Sequence, residues 1–180
     1  MTRSSPEAIL FIDGYNIVGA SPRLSRKRDR HSFDAARRAL VEDLAGYSAF
    51  KGYETKLVFD AYKQATPSRE EVITDTLAIC YTNSFQTADS YIEQACARFR
   101  HDIRKFSQRL IVATSDRAEQ LTVIGYGAEW MSAQRLLADI KHVQQRVQHK
   151  KQSTSGRSSR FLSNRLNPDV QKQLEQLRRL

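Results

Sequence analysis

Four aspartates sit where apolar runs give way to polar residues. Asp13 closes Ala8-Ile9-Leu10-Phe11-Ile12, Asp60 closes Lys56-Leu57-Val58-Phe59, and Asp116 closes Leu110-Ile111-Val112-Ala113-Thr114-Ser115. Asp89 follows Leu77-Ala78-Ile79-Cys80-Tyr81 after a short polar loop. Short, unalternating runs rich in β-branched and aromatic residues read as buried strands. In an open parallel sheet the strand carboxyl ends form the ligand crevice. Carboxylates brought together there repel unless a cation lies among them. Oxygen-only ligation of that kind suits Mg²⁺ or Mn²⁺. The implied chemistry is metal-assisted action on phosphate esters.

The densest local signal is Asp13-Gly14-Tyr15-Asn16. The aspartate can bind metal, the glycine allows close backbone approach, and Asn16 can donate to a phosphate oxygen or orient a carboxylate. Asp89 and Glu93 are four residues apart, hence on one face of a helix. Ser115 can bind phosphate beside Asp116. Tyr15 stands where an aspartyl-phosphate phosphatase needs a second aspartate, and no GxxxxGK[ST] phosphate loop occurs. His31, His101, His142 and His149 form no ligand pair at helical spacing and read as surface groups. Cys80 and Cys96 lie in apolar contexts and read as buried thiols rather than a disulfide or zinc site.

The chain has 180 residues, 40% of them hydrophobic, enough for one domain with a real core. No apolar run approaches the roughly 20 residues a bilayer span needs, so no membrane association and a cytoplasmic location are expected. The net charge is +9. Residues 141–180 hold ten Lys/Arg against two Asp/Glu, while the first 140 are nearly balanced. A basic tail on a neutral core points to a polyanion, most simply nucleic acid.

The elements expected to position these groups alternate. Strands are expected at 8–12, 54–60, about 77–82, 109–114 and, at an edge, 129–131. Ser32 caps a helix over 33–50 whose Phe33, Ala36, Leu40, Leu44 and Tyr47 form one stripe. Further helices are expected at 88–105, 116–125 and 133–150. Residues 13–31 read as a long loop. It carries Arg23, Arg26, Lys27, Arg28 and Arg30, leaves the same strand end as Asp13, and is a candidate RNA-phosphate contact. Residues 151–167 read as a basic flexible linker, and Asn167-Pro168 opens a terminal helix over 168–180. The order β-α-β-β-α-β-α implies an α/β fold with a mostly parallel sheet covered by helices on both faces.

Four motifs in order, Ile12-Asp13-Gly14-Tyr15-Asn16-Ile17, Val58-Phe59-Asp60-Ala61, Thr87-Ala88-Asp89-Ser90-Tyr91-Ile92-Glu93 and Val112-Ala113-Thr114-Ser115-Asp116, resemble the YacP-like branch of the NYN domains. The ending Leu162-Ser163-Asn164-Arg165-Leu166-Asn167-Pro168 is similar to that family's C-terminus as well. The resemblance implies a PIN-like three-layer sandwich over residues 7–150, followed by the basic linker and the C-terminal helical tail. It implies a divalent-metal endoribonuclease, with mRNA on the ribosome as the substrate of some members. Asp13, Asp89 and Asp116 would be the metal acids, with Asn16, Asp60, Glu93 and Ser115 in support. The competing expectation is an RNA- or ribosome-binding module that keeps the fold without catalysis. Oligomeric state and cleavage-site preference are not legible.

Overall fold

The computed structural model describes residues 5–60 and 68–163, with side chains through Lys150. Within them a six-stranded sheet has the order β3-β4-β2-β1-β5-β6. The strands are β1 Ala8–Asp13, β2 Tyr53–Phe59, β3 Arg69–Thr74, β4 Leu77–Tyr81, β5 Arg109–Ala113 and β6 Glu129–Met131. All pairings are parallel except β3 with β4. The mostly parallel α/β sheet is thus as expected. Every residue of β1 is buried, as an unalternating apolar run requires when both faces of a strand are covered.

The helices are α1 Gly14–Ala20, α2 Pro22–Arg30, α3 Phe33–Lys51, α4 Ala88–Phe99, α5 Arg117–Gly125 and α6 Ala133–Ser163. One core gathers Ile9, Phe11, Val58, Cys80 and Val112 of the sheet with Ile92, Cys96 and Phe99 of α4 and Val123 of α5. Alternation along β1 places Leu10 and Ile12 on the other face. Both cysteines are free and buried. All four histidines are exposed.

Three expectations need correction, and one strand was not among those expected. Residues 13–31 are two short helices, not a loop. Asp13 accepts from the Asn16 amide to cap α1, and Ser21 caps α2 with Pro22 at its first position. The stretch before β4 contains a strand, β3. Its Arg-Glu-Glu-Val-Ile-Thr sequence is mostly exposed because it pairs on one side only. Helix α4 ends at Phe99, and a 3₁₀ turn, Ile103–Phe106, follows. Finally, α6 stays helical to Ser163, through most of the expected 151–167 linker. Nothing before Pro168 forbids it: Gly156 costs a helix about 1 kcal/mol without ending it. The rest of that linker and the expected helix over 168–180 lie outside the described residues. The chain divides into two units, Met1–Val143, which holds the sheet, and Gln144–Leu180.

Gly14 shows how closely the backbone packs at the end of β1. A Cβ built there would lie 2.1 Å from Cε1 of Phe59. Phe59 is itself 1% exposed. Its ring is edge-on to Tyr15 and Phe33, at 5.5 and 5.7 Å. It therefore has nowhere to go. Gly14→Ala is expected to destabilise the fold by about 1–3 kcal/mol, the usual cost of overpacking, read as a lower urea midpoint. An unchanged midpoint would mean that the Phe59 ring relaxes freely. The same packing holds Tyr15, half-buried, in a stack on Phe33 at 4.7 Å.

Candidate metal centre

The order of strands reverses beside β1: β2 and β4 lie to one side, β5 and β6 to the other. Ligands of open α/β sheets bind at such a switch point, beyond the carboxyl ends. Asp13 ends β1 there, and the segment after β5 carries Thr114, Ser115 and Asp116 into α5. Helix α4 brings Asp89 in its first turn.

Three carboxylates converge. Asp13, Asp89 and Glu119 each offer an oxygen, and these oxygens lie within 4.8 Å of one another. Asp13 is 4% exposed and Glu119 2%. Asp13 is held from its own helix: Asn16 donates its backbone N–H to Oδ1 at 3.1 Å and its side-chain amide to Oδ2 at 2.8 Å. Of the two uses open to Asn16, orienting the carboxylate is the one seen. Both Glu119 carboxylate oxygens are buried and make no hydrogen bond of ordinary geometry among the described residues; the nearby Thr114 hydroxyl only eases the charge. A buried carboxylate in that state is costly, and a cation bridging the three acids would satisfy it. A donor set of oxygen alone fits a hard divalent ion.

Asp116 and Asp60 stand around this trio. Asp116 is exposed and caps α5, accepting from the N–H groups of Ala118 and Glu119 at 2.7 and 3.1 Å. Asp60 accepts from the N–H of Ala88 and so ties the α4 N-terminus to the end of β2. Glu93 is partly buried and outside the trio; with Glu119, its charge acts on the buried Cys96 thiol. Ser115 is exposed at the strand end. Sequence reasoning missed Glu119. It lies three residues after the capping Asp116, a spacing that ordinarily marks a capping box, and no apolar run leads to it.

Electrostatics bind the acids into one group. Burial pushes the Asp89 carboxyl from 3.8 to about 6, and the negative charges of Asp13, Asp116 and Asp60 push the same way. Burial raises Glu119 from 4.5 to about 7, reinforced by Asp89, Asp13 and Asp116, while Thr114 eases it. Both groups hold protons more tightly folded than unfolded. Their contribution to stability is therefore greatest at low pH and is lost as pH rises from the unfolded carboxylate range through about 7. Without divalent ions, Tm is expected to be higher at pH 5.5 than at pH 8, and Glu119→Gln is expected to narrow that gap in a thermal melt. An equal gap in the variant would show that Glu119 does not carry it.

The expected RNA-contact residues lie on α2. Arg23, Arg26, Lys27 and Arg30 share one face, at helical spacing, and with His31 they line a shallow cavity of about 260 Å³. Arg28 is not among the lining residues and pairs with Asp29 at 2.8 Å. Arg23 is engaged with Asp43 of α3. Arg26 donates to the carbonyl of Pro22 at 3.0 Å.

Comparison with known proteins adds the relatives. The model of the YacP-like NYN domain matches residues 10–179. The chain is 33% identical over 148 residues to uncharacterized protein YacP of Bacillus subtilis (strain 168), covering 79% of this chain and 80% of that protein. Two crystal structures of Rae1 (YacP) from Bacillus subtilis are similar. One, a point mutant, has a TM-score of 0.68 at 29% identity over 82% of each chain. The other has a TM-score of 0.66 at 30% identity, covering 95% of this chain and 94% of that one.

Proposed function

This chain belongs to the family of YacP-like NYN domains, and on that footing we propose that it is a divalent-metal-dependent endoribonuclease. The observation that carries the reading is the convergence of Asp13, Asp89 and Glu119, with a buried Glu119 carboxylate that makes no hydrogen bond of ordinary geometry among the described residues. Family membership supports RNA as substrate. The acids support hydrolysis of its phosphodiester bonds.

In this reading Asp13, Asp89 and Glu119 hold the ion, Mg²⁺ or Mn²⁺, with Asp116 at the mouth of the site. When bound, such an ion supplies an activated water near neutral pH and neutralises charge on the leaving oxygen. Asn16 fixes the rotamer of Asp13. Asp60 holds the α4 N-terminus and, through it, Asp89. Ser115 offers a hydroxyl to a phosphate oxygen. Glu93 tunes the field from one turn away. Arg26, Lys27 and Arg30, with Arg23 and Arg28 beside them, contact the RNA backbone.

The proposal extends to mRNA on the ribosome as the working substrate, in the cytoplasm, with the nuclease domain over 7–150 and the basic residues beyond it docking on RNA. Cleavage of a single-stranded RNA with and without Mn²⁺ or Mg²⁺, on naked RNA and on translating ribosomes, tests it. Activity that disappears with chelator and returns with the ion is expected. RNA left intact under all these conditions would defeat the reading.

A further inference from the structure

We propose that Phe85 is a stacking platform for a base of the RNA strand that enters the acidic site, an inference that rests on the endoribonuclease reading. Phe85 is 100% exposed. It lies in the segment 82–87, which joins the carboxyl end of β4 to α4. That is the sheet edge where Asp13 sits, and Asp89 follows four residues later. Among the described residues it is the large exposed apolar side chain carried by a loop at that edge. Ile103 and Phe106, which are also well exposed, precede β5 at the opposite end of the strands.

The ring is exposed on a fastened loop. Thr82 donates to the carbonyl of Phe59 at 3.0 Å. The N–H of Phe85 itself donates to Oδ1 of Asn83 at 3.0 Å. The N–H of Gln86 donates to the carbonyl of Asn83 at 3.1 Å, and its side-chain amide to Gln94 of α4 at 3.1 Å. Thr87 then caps α4. A phenylalanine held outward in this way gives up the burial its ring would gain inside.

Next to a site for phosphodiesters, the missing complement is the base. Every base has a π-face, so a ring can hold a strand without reading its sequence. The acids would act on the phosphate while Phe85 holds a neighbouring base, and a held strand costs less to align.

Steady-state cleavage of a single-stranded oligoribonucleotide by wild type, Phe85→Ala, Phe85→Leu and Phe85→Trp tests this, beside a binding readout that needs no activity. Phe85→Ala and Phe85→Leu are expected to raise KM on the order of tenfold with kcat nearly kept, and Phe85→Trp to restore KM. In the Asp89→Asn background, oligoadenylate is expected to quench the indole added by Phe85→Trp beyond the change at Trp130 alone. Rescue by Phe85→Leu as good as by Phe85→Trp would make Phe85 a merely apolar contact, such as one for a protein partner, and overturn stacking. Normal KM in Phe85→Ala would overturn it while leaving the nuclease intact. Quenching without cleavage by any variant would uphold stacking and sink the nuclease reading. Absence of quenching would overturn stacking whatever the cleavage.

Discussion

Asp13→Asn is expected to abolish metal-dependent RNA cleavage while leaving the protein folded. Asparagine keeps an oxygen that can accept from the Asn16 N–H and cap α1, so the helix start survives. It removes one of three charges that converge within 4.8 Å, which also relieves repulsion when no ion is present. What is lost is ligation. Groups that only orient a metal ligand typically cost 10–100-fold on removal, and loss of a ligand itself should exceed that. Thermal melts with chelator should show a Tm close to wild type, and cleavage should fall to background. A variant that cleaves normally would place the ion elsewhere.

Glu119→Gln is the second large effect, and it separates this site from one built on Asp116. Glu119 is buried, makes no hydrogen bond of ordinary geometry among the described residues and is drawn into the trio. Asp116 is exposed and occupied with the first turn of α5. Glutamine at 119 would carry no charge into a buried position, so the metal-free protein should melt higher at pH 8 than wild type. Manganese binding, followed by calorimetry, should weaken by more than about 100-fold. Asp116→Asn, whose new side chain is an equally good helix cap, should weaken binding by about 10–100-fold at most. The reverse ranking would show that Asp116, and not Glu119, ligates the ion.

Much of this site was legible because the physics is local. A parallel strand buried on both faces must be a continuous apolar run, so the residue that breaks the run marks its carboxyl end. That logic located Asp13, Asp60 and Asp116, and Thr87 as a cap located Asp89. The four motifs carried the family. Glu119 escaped because its burial depends on where α5 lies against α4 and β6, which no spacing states. The helices over 14–30 escaped because their density of cations reads as solvated chain, although Ser21-Pro22 is an N-cap followed by an N1 proline. Strand β3 escaped because an edge strand paired on one side needs no apolar run. Asp116 and Glu93 stand apart from the trio: one caps α5, and the other is partly buried one turn after Asp89.

The most direct test compares wild type with Asp89→Asn on single-stranded RNA in Mn²⁺, with chelator as control. Asp89 draws the field of Asp13, Asp116 and Asp60 together yet is only partly buried, so its change to asparagine should not disturb the fold. Cleavage by wild type that needs the ion, and its absence in the variant, is the predicted result. Equal cleavage by both proteins, or cleavage indifferent to chelator, would contradict a metal-dependent site at these carboxylates.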